Sequence, residues 1–239
     1  MLTEIDLENI LFLDIETVPA VYDFDKLDDD WKQLWSDKTR YLQEREEKSA
    51  QQLYDRAGIY AEFGKIICIS TALFYQSGSE QKLRVTSFYG KDEKALLNDF
   101  LSMIGRFDRG GEKFLCGHNS KEFDIPYIAR RSLINGLALP NMINLAGKKP
   151  WEVRHLDTMD LWKFGDYKHY TSLNLLAKLF NVPTPKGDIS GADVGRVFWE
   201  EDDVERIRVY CEKDTITVAR LMQRFRNTDI IHDDYIEMV

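Results

Sequence analysis

Ile10-Leu11-Phe12-Leu13-Asp14-Ile15-Glu16-Thr17 runs four consecutive apolar residues straight into two acids spaced i, i+2. A short apolar run of this kind reads as a strand buried on both faces, its side chains alternating with period 2. Asp14 and Glu16 then share one face. Burying a carboxylate without a partner is costly, and two side by side repel each other. A divalent cation relieves both costs at once. A strand end frayed into solvent avoids them too, so the pair alone does not choose. The choice turns on whether the rest of the chain aims more carboxylates at the same point.

The bulk numbers narrow the class. With 239 residues, 44% hydrophobic and 31% charged, the chain can bury a sizeable core as one domain spanning residues 1–239. A net charge of −9 argues against a protein that coats duplex nucleic acid or docks on an anionic membrane. It leaves room for one that holds a few nucleotides through metal ions. Cys68, Cys116 and Cys211 are scattered in apolar contexts without a C-x-x-C pair, as reduced core cysteines are. The acidic N-terminus lacks a secretory pattern and no apolar run reaches the ~18 residues of a membrane span, so a cytoplasmic protein with no membrane partner is expected.

After the first strand, residues 23–56 hold ten acids and seven Lys or Arg, with Trp31, Leu34, Trp35, Tyr41, Leu42, Leu53 and Tyr54 at partly helical spacing. This predicts a helical insertion of one or two amphipathic helices, too long for a simple connection. Residues 65–75 and 83–89 read as a hairpin around the turn cluster at 76–81. A helix follows at 92–106, then a buried strand at 114–119, a helix opened by Pro126, and a strand at 153–158. Further helices are expected at 172–181, 192–200 and 203–226. The order describes an α/β fold, a mixed sheet with helices on its faces.

The 203–226 helix carries the second clue. Asp202 with Glu205 three residues on reads as a capping box. Its apolar stripe runs Val204, Ile207, Cys211, then Val218, Leu221 and Phe225, and the missing member is Asp214. An acid thus occupies a core-facing position, with Tyr210 one turn earlier on the same side. Asp124 is a third candidate, although an Asp directly before a Pro-containing first turn is also what an N-cap calls for. His118 and Asn119 close a buried strand, where polar turn residues are equally at home.

Together Asp14-Ile15-Glu16, Asn119-x-x-x-Phe123-Asp124 and Tyr210-x-x-x-Asp214 resemble the three motifs of DEDD 3′–5′ exonucleases in order and separation. The Tyr four residues before the last Asp resembles the DEDDy branch; the DEDDh branch would carry His where this chain has Val209. The runs 118–128 and 155–161 are similar to the proofreading domain of family B DNA polymerases, and the chain resembles the stand-alone predicted exonucleases related to it. The resemblance spans most of 10–225 and skips the insertion. It implies an RNase H-like fold, a five-stranded mixed sheet flanked by helices. It also implies two divalent cations, Mg²⁺ or Mn²⁺, about 4 Å apart, one activating water and the other stabilising the leaving 3′ oxygen. Such ions call for hard oxygen ligands, hence carboxylates.

By the same resemblance Asp14 bridges the ions, Glu16 and Asp214 complete the first position, and Asp124 serves the second. Tyr210 orients the attacking water, while Thr17, Asn119 and Phe123 position the terminal nucleotide, Phe123 by an aromatic surface. The implied substrate is the 3′ end of single-stranded nucleic acid, DNA ahead of RNA, and the product a nucleoside 5′-monophosphate. Proofreading beside a polymerase and association with a repair protein are both compatible roles. From Lys113 to Lys186 the chain has eleven Lys or Arg against six Asp or Glu, with Arg130, Arg131, Lys148 and Lys149 expected on the path of the strand. A non-catalytic binding or scaffold module on the same fold is the rival, and RNA trimming a further one; nothing in the sequence reads a 2′-hydroxyl.

Overall fold

In the computed structural model, which describes residues 3–109, 111–166, 170–184 and 189–239, the opening run forms β1 (Ile10–Pro19). It is followed by β2 (Gly64–Ser77), β3 (Glu80–Tyr89), β4 (Phe114–Gly117), β5 (Leu156–Asp157) and β6 (Ile236–Met238). These make one mixed sheet in the order β5-β4-β1-β2-β3-β6. β1 runs antiparallel to β2 and parallel to β4, which puts it at the centre. The strand alternates as its sequence requires. Leu11, Leu13 and Ile15 pack on one face with Leu97, Phe100 and Ile128, while Ile10 and Phe12 pack on the other with Val218, Ala219 and Met222. Asp14 and Glu16 continue this second row.

The sheet is mixed and flanked by helices, consistent with an RNase H-like fold, but it has six strands rather than five. The additional β6 pairs parallel with β3 through Leu83 and Ile236. Three residues are too few to show a period. The tail reaches the sheet edge because buried Arg220 bonds the Ile231 carbonyl and Asp233, and Gln223 accepts from the Ile231 amide at 2.9 Å.

The helices are α1 (Asp29–Glu46), α2 (Glu93–Phe107), α3 (Asp124–Ile134), α4 (Thr158–Lys163), α5 (Leu173–Leu179), α6 (Val194–Arg196) and α7 (Val204–Phe225). The expected insertion contains α1, capped by Asp28, and the start of a 3₁₀ run, Gln51–Ile59. Its own small core gathers Trp35, Leu53, Tyr54, Ala57 and Phe63, and the Trp35 indole donates to the Ala50 carbonyl at 2.8 Å. The helix expected at 192–200 is instead the single turn α6 running into a π turn at Val197–Glu201. Asp202 closes that turn at φ 57°, so it cannot cap α7; Asp203 does, accepting from the Arg206 amide at 3.0 Å. The Glu205 carboxylate is taken by the Tyr89 hydroxyl at 2.7 Å. Among the described residues no helix is long and apolar enough to cross a membrane.

Candidate active site

The site begins where two parallel strands part. β1 pairs with β4 only from Ile10 to Phe12. Beyond that, one edge of β1 is open and its amides need other acceptors. The Asp124 carboxylate fills one such place, accepting from the Ile15 amide at 3.1 Å. Asp124 therefore does not cap α3. It is the helix's first residue, Phe123 stands at the cap position without a side-chain bond, and the buried acid is turned toward β1. On the other edge β2 bulges. Glu16 pairs with Cys68 but Thr17 pairs with Ile66, leaving Ile67 over. Ile67 and Cys68 consequently both pack with Val18 and Cys211. Bulges of this kind are frequent beside sites because they re-aim side chains.

The loop between β4 and α3 is held by Asp157, at the end of β5. Its two oxygens accept from the amides of Asn119 (2.9 Å), Lys121 (3.0 Å) and Met159 (2.9 Å). Asn119 sits in the left-handed region at φ 66°, tolerable for Asn where most residues would be strained. Its side-chain oxygen is buried without a hydrogen-bond partner among the described residues. His118 is tied by Nδ1 to the Thr158 hydroxyl and by Nε2 to the Thr171 carbonyl, and burial holds its pKa below the usual imidazole value.

α7 supplies the third wall. Ile207, Cys211, Val218 and Leu221 are buried on the stripe, and half-buried Asp214 stands among them as the missing member. The Tyr210 hydroxyl faces the Asp214 carboxylate closely enough to favour its charged form. Cys211 lies one turn before that carboxylate, with Sγ 3.4 Å from the Asp14 carbonyl and 3.5 Å from Asp14 Oδ2. Ligand atoms of Asp14, Glu16 and Cys211 all lie within 4.8 Å of one another.

Electrostatics shows that the acids share one small volume. Burial, then Glu16, Asp124 and Asp214 in that order, push the Asp14 pKa well above the usual carboxylate range. Burial does the same to Glu16, with Asp214 the nearest acid in effect. Burial lifts Asp124 to about 7, against the pull of the Ile15 amide. Asp214 is raised by burial and eased by Tyr210 and Lys213, and burial raises the Tyr210 phenol. Among the described residues, no Lys or Arg stands among the leading influences on Asp14, Glu16 or Asp124. Three elements thus deliver four mutually repelling carboxylates without enough cation to balance them. A hard divalent cation answers that demand, and the oxygen donors suit one.

Thr17 and Phe123 stand slightly apart. Thr17 lies near the Tyr127 hydroxyl, which donates to the Gly58 carbonyl at 2.8 Å. The Phe123 ring lies 5.4 Å from that of Tyr127. Arg131 is not on a strand path: it is buried, bonded through Nε and Nη2 to Glu93 at 2.8 and 2.6 Å. Arg130, Lys148 and Lys149 are exposed, while Lys168 and Lys186 lie outside the described residues. Two participants escape sequence reasoning, Asp157 and Cys211. The only hint of Asp157 was the similarity of 155–161 to the polymerase proofreading domain; Cys211 carried no signal beyond an ordinary apolar position.

A family model described as a predicted 3′–5′ exonuclease related to the exonuclease domain of PolB matches residues 59–235. No curated protein matches the chain. The matched span includes Asp124, Tyr210 and Asp214. It starts after β1, so Asp14 and Glu16 join the site through the sheet rather than through the match.

Proposed function

The chain belongs to the family of predicted 3′–5′ exonucleases related to the PolB exonuclease domain, and from that premise we propose that it is a metal-dependent 3′–5′ exonuclease acting on single-stranded nucleic acid, DNA ahead of RNA. The observation that carries this is the convergence of Asp14, Glu16, Asp124 and Asp214 where β1 and β4 part. A binding module gains nothing from four crowded acids. A nuclease needs them, because a phosphodiester is shielded by charge and water is a weak nucleophile at neutral pH.

Asp14 would bridge two cations, Mg²⁺ or Mn²⁺, with Glu16 and Asp214 completing one position and Asp124 the other. When bound, the ions supply Lewis acidity and positive charge for water activation and for the leaving 3′ oxygen. The chain's own groups do the positioning. The Tyr210 hydroxyl, facing Asp214, orients the attacking water. The unpartnered Asn119 oxygen accepts a hydrogen bond from the terminal nucleotide, in a loop fixed by Asp157. Phe123 offers an aromatic surface to the terminal base, and Thr17 lines the same end of the strand. The product is a nucleoside 5′-monophosphate, and a single-stranded substrate is compatible with repair, proofreading or turnover alike.

Digestion of a 3′-overhang oligonucleotide tests this. Activity should require Mg²⁺ or Mn²⁺, stop with chelator and disappear in Asp14→Asn. Equal activity of wild type and Asp14→Asn, indifferent to chelator, would refute it. Oligonucleotide affinity with no turnover across several metals would favour a binding module instead.

A further inference from the structure

Trp151 is 76% exposed, yet it stands on a closed turn rather than on a loose loop. An indole gains much from burial, so one kept in water on a fixed turn invites a ligand. The turn, Pro150–Glu152, is tied from both sides. The Lys149 amide donates to the Glu152 carboxylate at 2.7 Å, and the Glu152 amide to the Lys149 carbonyl at 2.9 Å. The Lys149 ammonium stands over the indole, 5.3 Å from the ring centre. The ring is thereby oriented before anything binds.

Beside it a cavity of about 480 Å³ follows the outer edge of β5, which pairs with β4 alone. Lys121, Val153, Arg154, His155 and Leu156 line it together with Trp151. Its two acids are already taken. Asp157 accepts backbone amides, and Asp160 pairs with Lys121 and Lys163 at 3.1 and 3.2 Å. Arg154 pairs with Glu112 at 2.5 Å, but among the described residues Lys148 and Lys149 have no acid partner. Burial, then Lys148 and Lys121, hold the His155 pKa below the usual imidazole value against the pull of the Met142 carbonyl. Both ammonium groups thus bear on the cavity wall.

We infer that Trp151, Lys148 and Lys149 form a stacking platform for single-stranded nucleic acid, with an unpaired base on the open face of the indole and its flanking phosphates on the two ammonium groups. A protein side chain would satisfy the ring and leave the cations unmet. A duplex would satisfy the cations and hide its base faces. Asp157 also holds the Asn119 and Lys121 amides, so one loop borders both this cavity and the candidate active site. The platform adds affinity for the strand away from its 3′ end. The inference rests on the single-stranded substrate proposed above, not on its cleavage.

The test is a fluorescence titration of the full-length protein with an oligothymidylate of about twelve nucleotides, in chelator so that nothing is cut. Tryptophan emission of the wild type should be quenched to saturation. Trp151→Phe keeps an aromatic face, so its affinity should stay close to wild type while most of the quench is lost. Trp151→Ala should bind about 10-fold or more weaker. Replacing Lys148 and Lys149 with Ala should flatten the slope of log K against log salt by about 1.4. All three side chains are exposed, and melting temperatures check that the variants are folded. No binding by wild type, or Trp151→Ala binding as tightly as wild type, would overturn the inference. Unchanged affinity of Trp151→Ala beside digestion from the 3′ end would remove the platform and leave the nuclease reading in place. A quench lost in Trp151→Phe, in a protein that cuts nothing, would do the reverse.

Discussion

Tyr210 packs its ring beside Val18, Cys68 and Cys211 and turns its hydroxyl toward Asp214 one turn away. Tyr210→Phe keeps the ring in its packing and removes that one group. The expected result is a fall in kcat of about 10²-fold or more, with KM and melting temperature nearly unchanged; a matching rise in KM would argue for a binding role instead. The acids make a different prediction, through pH. Asp124 is held at about 7 in the folded chain against an ordinary 3.8, and Asp14 and Glu16 are raised too. The folded state thus keeps protons that the unfolded chain has released. Stability from these groups is fully present below the ordinary carboxylate pKa and is lost as pH rises through about 7. Urea midpoints measured with chelator should fall between pH 5 and pH 8, and Mn²⁺ should restore more at pH 8 than at pH 5. A flat profile would contradict the crowding of the acids. Asp14, Glu16 and Asp214 were legible because each breaks an apolar pattern. Asp124 was ambiguous, since an Asp before a prolyl first turn also suits a cap, and only the open β1 edge decides. Asp157 and Cys211 were not identifiable from residue spacing. Asp157 acts on a loop 38 residues away, and a cysteine on a helix's apolar stripe looks like any core residue.

Between elements, the main polar tie beside the site is the buried pair of Glu93, at the start of α2, with Arg131 on α3. Glu93 also accepts from the Ile66 amide at 2.7 Å, and Asn135 donates to it at 2.9 Å, so one carboxylate joins two helices and β2. Arg131 additionally reaches the Ala61 carbonyl at 2.9 Å. Glu93→Ala leaves a buried guanidinium uncompensated and should destabilise the fold by about 3–5 kcal/mol, measured by chemical denaturation. A change below about 1 kcal/mol, the range of an exposed pair, would show that water reaches it. Element order and type could be read from periodicity, including the hairpin and the long last helix. What could not was whatever depends on few residues or on closure. β5 has two residues and β6 three, and the π turn before α7 moved the cap from Asp202 to Asp203. Segments that short carry no period, so packing alone sets them.

For the whole molecule, the central strand and the matched region complete each other. The family match begins at residue 59, yet two acids that feel Asp214, Asp14 and Glu16, lie on β1 before it. The fold brings them together by placing β1 at the centre of the sheet, between β2 and β4, with α7 laid across it. The chain's charge of −9 suits a site that grips a strand end through cations rather than a surface that coats nucleic acid. Of the four basic residues expected along the strand, Arg131 is withdrawn into the core, leaving Arg130, Lys148 and Lys149 outward. The central claim is that four converging acids hold the ions that remove nucleotides from a 3′ end. Its most direct test is a time course on a 5′-labelled single-stranded oligonucleotide with Mg²⁺, resolving both the labelled strand and the released products. The account predicts a ladder shortening one nucleotide at a time from the 3′ end, with nucleoside 5′-monophosphates released and no ladder from Asp214→Asn. Internal cuts, 3′-phosphate products or an unchanged ladder from that variant would contradict it.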